Sequence, residues 1–194
     1  MKTKIIKINN NNAIKYAVNI LKNGGLFIYP TETCYGIGAD ATNDDAVKKV
    51  FEIKQRPPNK YITVAFSDVD MIKKYIKISK NSEKLIKKFM PGPLTLVDNG
   101  VGFRIPKHKI ILEIIKKFGK PITTTSANIS GQRPLYKISD IIKTFSERVE
   151  LILDAGDLKE IPPSTVFDVK KRKIIRNGPI KKREIIKVLN TFTL

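Results

Sequence analysis

Tryptophan is absent from this 194-residue chain, and cysteine and histidine occur once each, as Cys34 and His108. A single cysteine excludes an internal disulfide and gives no argument for export. With one histidine and one cysteine, no His/Cys cluster can cage a transition metal. No apolar run approaches bilayer-spanning length. The N-terminal Met1-Lys2-Thr3-Lys4-Ile5-Ile6-Lys7-Ile8 alternates charge with isoleucine and lacks the apolar core of a secretory signal. The expectation is a cytoplasmic protein with no membrane association. Acidic residues are also scarce: 18 Asp plus Glu face 37 Lys plus Arg, a formal charge of +19. Such a field draws in polyanions, either nucleotides or nucleic acid. Lysines coating helix faces in an Ile- and Asn-rich chain would give the same total by compositional bias alone. The densest cluster, Lys170 to Lys173 with Lys181, Lys182 and Arg183, is a candidate RNA-facing patch, or equally a solvated hairpin and helix start.

Hydrophobic residues make up 41% and charged residues 28%, so a folded globular chain is expected. Ile14, Ala17, Val18 and Leu21 predict a helix near 12–23, ended by Gly24-Gly25. Leu26 to Tyr29 follows as a short buried strand. Asn43 or Asp44 can cap a helix whose end delivers Lys54 and Arg56. Tyr61–Phe66 reads as a strand, followed by helices near 68–76 and 81–89. Two strands, 94–97 and 101–105, flank the turn at Asp98-Asn99-Gly100. Beyond them come a helix near 108–118, a strand at 122–124, a helix near 139–147 and a strand at 149–153. Strands at 165–169 and 173–176 and a helix near 181–190 complete the pattern. Repeated βα alternation with adjacent strands, and no linker or internal repeat, predicts one α/β domain: a twisted mixed sheet with flanking helices.

Four polar segments carry the chemistry. The first, Pro30 to Gly36, begins at a strand end, where open α/β sheets place ligands. Pro30 ends the strand, Gly36 and Gly38 suit a turn, and Thr31, Thr33 and Tyr35 present hydroxyls. Cys34 has no neighbouring base and reads as a small buried side chain. The second, Lys54 to Lys60, holds Lys54, Arg56 and Lys60 around the stiff Pro57-Pro58. The third crowds Thr123, Thr124, Thr125, Ser126 and Asn128 at another strand end. The fourth sets Ser164 and Thr165 against Arg176 across a hairpin ended by Gly178-Pro179. Hydroxyls, amides and cations without paired carboxylates suit a phosphate-bearing anion rather than acid–base hydrolysis. There is no P-loop sequence, and Gly36-Ile37-Gly38 is only a fragment of a dinucleotide fingerprint. His108 reads as a capping or packing residue.

Seven stretches in this order, PTETCYGIGADA, KQRPPNK, FMPGPLTLV, FRIPKH, TTTSANISG, PSTVFDV and IIRNGP, resemble the YrdC family, the threonylcarbamoyl-AMP synthases that begin synthesis of threonylcarbamoyladenosine in tRNA. The likeness covers nearly the whole chain. It implies a single YrdC-like domain over 1–194 with a concave ligand cleft and no additional C-terminal domain. It implies a nucleotidyltransferase that joins L-threonine, bicarbonate and ATP, with Mg²⁺ accompanying the nucleotide, and releases pyrophosphate. Matched by position, Thr33, Arg104, Thr124 and Ser164 would hold threonine. Arg56, Lys60, Ser126, Asn128 and Arg176 would hold ATP, with Lys54, Arg56 and Lys60 positioning and neutralising charge and no general base required. The implied partners are tRNA or another double-stranded RNA and a downstream threonylcarbamoyl transferase complex.

Two positions depart from the family pattern: Ala65 stands where some relatives have a histidine near threonine, and Gly100 where others have a hydroxyl near ATP. Two rival readings remain at this level. A non-catalytic RNA-binding protein would explain the charge. Carbamoyl transfer of the kind found in hydrogenase-maturation proteins is disfavoured, because those relatives carry zinc-binding cysteines. The synthase reading requires Arg56, Arg104, Ser126 and Arg176 to converge on one positively lined hollow.

Overall fold

The computed structural model describes residues 2–58 and 60–191. The first half of the chain forms β1 (Lys4–Lys7), α1 (Ala13–Lys22), β2 (Phe27–Pro30), β3 (Tyr35–Gly38), α2 (Asp44–Lys54), β4 (Val64–Ala65), α3 (Val69–Tyr75) and α4 (Lys80–Phe89). Next come β5 (Leu94–Asp98), β6 (Val101–Arg104), α5 (Lys109–Phe118), β7 (Ile122–Thr123) and β8 (Thr125–Ser126). The last elements are α6 (Ile138–Phe145), β9 (Leu151–Asp154), β10 (Thr165–Asp168), β11 (Lys173–Arg176) and α7 (Lys182–Asn190).

Local chemistry sets several of these boundaries. The Asn43 side chain accepts from the Ala46 amide at 3.1 Å and caps α2, whose first turn carries Asp44 and Asp45 and whose last carries Lys54. Gln55 then turns left-handed, at φ 51°, and ends the helix. The β5–β6 hairpin closes through Asn99 and Gly100, both at positive φ, as the Asp98-Asn99-Gly100 signal predicts.

The sequence pattern predicts one mixed sheet; the structure has two. The first runs β1-β9-β2-β3-β8 and the second β11-β10-β5-β6-β4-β7. Each mixes parallel with antiparallel pairs. The difference arises at residues 122–126: a single strand is expected at 122–124, whereas the stretch serves both sheets. β7 pairs with β4 in the second sheet, and β8 pairs with β3 in the first. Between them the Thr124 amide donates to the Thr63 carbonyl at 2.7 Å, one step beyond the β4–β7 pairs. β1 was not expected either, because a four-residue Lys/Ile alternation at a terminus gives only a weak strand signal.

Alternation along the strands divides the interior. Phe27 and Tyr29 of β2 face α1 and α5, in a cluster with Ala17, Leu21, Ile111 and Ile115. Ile28 and Ile37 point the other way, against Val50 of α2 and Phe145 of α6. The first sheet is therefore covered on both faces. The second packs Leu94, Leu96, Phe103 and Phe167 against α4 and α7 through Leu85, Ile86, Ile185 and Leu189. Each such fully buried side chain contributes about 1.5–3 kcal/mol of transfer free energy.

Gly36 and Gly38 do not form the turn their sequence suggests. They are β3 residues paired antiparallel with Tyr29 and Phe27. A Cβ at Gly36 would lie 3.1 Å from the Tyr29 ring, and one at Gly38 would fall on the Phe27 ring. The glycines make room for two large aromatic side chains across the hairpin. Gly38→Val should therefore lower stability by about 1–3 kcal/mol through overpacking. Urea unfolding that gave an unchanged midpoint would show that Phe27 yields freely.

Candidate functional site

A polar cleft opens where the two sheets meet, at the crossing around Thr124. The β2–β3 loop contributes Thr31, Thr33 and Cys34, and β8 contributes Thr125 and Ser126. From the second sheet come Thr95 of β5, Arg104 of β6, Ser164 just before β10, and Arg176 of β11. Arg56, Tyr61 and Thr63 enter from the segment after α2. The cleft has a cavity volume of about 110 Å³. Small-molecule sites usually span roughly 300–1,000 Å³. The cleft is small by that measure, so a larger ligand must extend out of it.

Seven of the residues assigned from sequence line this cleft: Thr33, Arg56, Arg104, Thr124, Ser126, Ser164 and Arg176. Lys54, Lys60 and Asn128 do not. Lys54 is 2% exposed at the end of α2, and its ammonium donates to the Ser126 carbonyl at 2.5 Å, the Asn128 carbonyl at 2.8 Å and Asn128 Oδ1 at 3.3 Å. All three protons are thereby engaged within the protein. The Asn128 amide is equally occupied: Oδ1 accepts from Ser126 Oγ at 2.6 Å, and Nδ2 donates to the Ile129 and Gln132 carbonyls. These two side chains brace the loop that presents Ser126. Lys60 is solvent-exposed beyond the diproline, its amide bonded to the Pro57 carbonyl at 3.1 Å. Asn59 in the same segment lies outside the described residues.

The three arginines differ in burial. Arg104 is buried, with Nη2 donating to a Glu32 carboxylate oxygen and to the Gly92 carbonyl at 3.1 Å. Arg56 is half-buried and donates from Nη2 to the Tyr61 carbonyl at 2.8 Å. Arg176 hooks over Ser164, with Nε and Nη2 at 3.1 and 2.8 Å from its carbonyl and Nη2 3.1 Å from its hydroxyl. The Nε atoms of Arg56 and Arg104 are buried without a hydrogen-bond partner. Orphan donors on buried cations are costly unless an incoming group completes them. Burial pushes the Arg104 guanidinium down to about 10, with Tyr29 opposing and Arg176 adding to the fall. It stays charged at neutral pH, and the adjoining Glu32 carboxylate favours that state.

The hydroxyls divide between support and display. Thr31 Oγ1 donates to the Cys34 carbonyl at 2.7 Å and accepts from the Thr33 and Cys34 amides, which closes the loop. The Tyr35 hydroxyl, expected at the site, instead reaches the opposite face, where it donates to the Gly156 carbonyl at 2.7 Å. Thr95 and Ser164 hydroxyls meet at 2.8 Å. Burial pushes the Cys34 thiol up, against the pull of Thr33, Arg176 and Lys54. It is 5% exposed and stays protonated, as its isolation in sequence suggested. His108 occupies the N-cap position of α5 without a side-chain cap bond, and burial lowers its pKa. Ala65 is wholly buried in the core beside Tyr29, and Gly100 sits in the β5–β6 turn, so neither departure lies on the cleft surface.

Tyr61, Thr63 and Thr95 were not singled out from the sequence. Thr63 and Thr95 gave no signal, being threonines within ordinary strand-like runs. Tyr61, an aromatic next to a cationic loop and 77% exposed, was the one detectable case.

The profile of the Sua5/YciO/YrdC family, described as "Telomere recombination", matches residues 19–178. A Methanocaldococcus jannaschii protein provisionally named threonylcarbamoyl-AMP synthase is 38% identical, over 94% of this chain and 97% of its own. The Pyrococcus abyssi threonylcarbamoyl-AMP synthase is 33% identical over 93% of this chain, which spans 58% of that protein. The crystal structure of P. abyssi Sua5 complexed with L-threonine superposes with a TM-score of 0.88 at 31% identity, covering 98% of this chain and 61% of that one.

Burial of Lys54 carries a pH signature. Its ammonium is pushed from the ordinary 10.5 down to about 8, by burial first and by Arg56 second. Between those values the unfolded chain binds more protons than the folded one, so stability rises with pH across the interval. Wild-type stability measured against Lys54→Met by urea unfolding should therefore increase from about pH 8 to about pH 10.5. A constant difference would remove the ammonium from its buried position.

Proposed function

The chain belongs to the Sua5/YciO/YrdC family, and on that premise we propose that it is a threonylcarbamoyl-AMP synthase. The reaction is a nucleotidyl transfer. L-threonine and bicarbonate condense to the carbamate with loss of water, and a carbamate oxygen displaces pyrophosphate from the α-phosphorus of ATP. The product, L-threonylcarbamoyladenylate, opens the synthesis of threonylcarbamoyladenosine in tRNA. The observation that carries this reading is the convergence of Arg56, Arg104 and Arg176 with four hydroxyl-bearing residues, Thr33, Thr124, Ser126 and Ser164, in one cleft.

Arg104 holds the threonine carboxylate deep in the cleft, with Thr33, Thr124 and Ser164 around the amino acid. A guanidinium fork fits a carboxylate better than a point charge does. Arg56, Ser126 and Arg176 take the phosphates across the mouth, and Lys60, solvent-facing beside Tyr61, adds charge there. Lys54 and Asn128 act on the ligand through the Ser126 loop they brace. Attack needs alignment and neutralisation of accumulating negative charge, and cations with fixed donors supply both. Carbamate and pyrophosphate are already anionic, so no protein base is called for. Among the described residues no group of three His, Cys, Asp or Glu could hold a metal. The donor set therefore fits Mg²⁺ carried in on the triphosphate oxygens, which it would neutralise, rather than a resident ion.

The cytoplasm is the expected compartment, and a transferase complex is the expected consumer of the adenylate. Lys170 to Lys173 and Lys181 to Arg183 are exposed and offer an RNA-facing surface. Two measurements test the reading. Pyrophosphate release from ATP should require both threonine and bicarbonate; release independent of either rejects the synthase. Arg56→Ala should lower that rate by about 10²-fold while leaving the melting transition intact. Full activity in that variant would remove Arg56 from the phosphate site.

A further inference from the structure

Among the described residues Glu32 stands out as the one carboxylate paired with an arginine of the cleft, and it has no assigned role in the reaction. It belongs to the β2–β3 loop, 72 residues from Arg104 in sequence, and its side chain is 15% exposed against 6% for Arg104. One carboxylate oxygen takes Arg104 Nη2, and the other accepts from the Lys107 amide at 3.2 Å. The carboxylate is therefore held from two sides, by the guanidinium and by the backbone between β6 and α5. Nη2 is in turn shared between Glu32 and the Gly92 carbonyl at 3.1 Å. This arrangement fixes the rotation of the guanidinium and leaves the orphan Nε as a donor with no protein partner. A planar fork recognises a carboxylate only when its plane is held.

We infer that Glu32 is a positioning residue, which locks the Arg104 guanidinium in the orientation that receives the carboxylate of the amino-acid substrate. The inference rests on the proposed function for the identity of that substrate. The same contact has an electrostatic consequence. Glu32 cancels one of three neighbouring positive charges, so the deep end of the cleft suits a zwitterionic amino acid, whose carboxylate meets Arg104, rather than a polyanion. The excess positive charge is left to Arg56 and Arg176 at the mouth. The opposite relation, in which Glu32 competes for Arg104 in the empty site, would require a carboxylate free to swing away, and the Lys107 amide opposes that.

The test compares wild type, Glu32→Gln and Glu32→Ala by threonine binding in a calorimeter and by pyrophosphate release with threonine and ATP varied separately. The threonine Kd and KM should rise about tenfold in Glu32→Ala and by less in Glu32→Gln, which keeps an acceptor oxygen; the KM for ATP should not change. If Glu32→Ala does not fold, Glu32→Gln decides: threonine affinity equal to that of wild type overturns the inference. Tighter threonine binding in either variant overturns it in favour of a competing carboxylate. A matching rise in the KM for ATP also overturns it, marking a general loosening of the cleft. Wild type that neither binds threonine nor turns over defeats the synthase reading itself, whereas wild type that binds threonine no better than the variants defeats only the role of Glu32.

Discussion

Three guanidinium groups brought into one cleft repel one another, and the architecture around the site answers that repulsion. Arg176 depresses the pKa of Arg104, and Arg56 depresses that of Arg176, each as a secondary effect behind desolvation. Each cation is tethered to a fixed acceptor: Arg104 to Glu32 and Gly92, Arg176 to Ser164, Arg56 to Tyr61. The arginines themselves come from β6, β11 and the segment just after α2, elements separately anchored in apolar clusters. A polyanion entering this field meets charges already in place, whose mutual repulsion has been met by folding rather than at the moment of binding.

Lys54 shows how the fold uses a cation for a different task. Its ammonium is withdrawn from solvent and serves as a three-way tie between α2 and the loop from Ser126 to Asn128. The Ser130 amide returns a bond to the Lys54 carbonyl at 2.7 Å. The loop is thus held at both ends of one residue. The charge spaced two residues from Arg56 acts as scaffold, and Arg56 lines the cleft. Spacing in the sequence gave the two side chains equal standing; burial separates them.

The sequence made the helices legible because each carries an apolar stripe at helical period and a stop signal. The predicted helix near 12–23 and the observed Ala13–Lys22 differ by a residue at each end. Strands fared less well where the signal lay across the sheet rather than along the chain. β3 contains two glycines and reads as a turn, because the reason for those glycines is the pair of aromatic rings on β2. The passage of 122–126 from one sheet to the other was likewise invisible, since each half is only two residues long. Much of the cleft was legible as residue types: Thr33, Thr124, Ser126, Ser164 and the three arginines named from sequence line it, beside Thr63 and Thr95, which gave no signal. Their directions were not. The hydroxyl of Tyr35 and the amide of Asn128 are claimed by backbone partners far from, or folded back within, their own segment.

The double membership of residues 122–126 also limits how this molecule can embrace a ligand. A clamshell that swings one half against the other is denied to it, because the same short strand is stitched into both halves, with ladder bonds on either side of Thr124. Any such swing would tear pairs on one flank or the other. Arg56 and Tyr61 reach the opening from the segment after α2, outside both ladders.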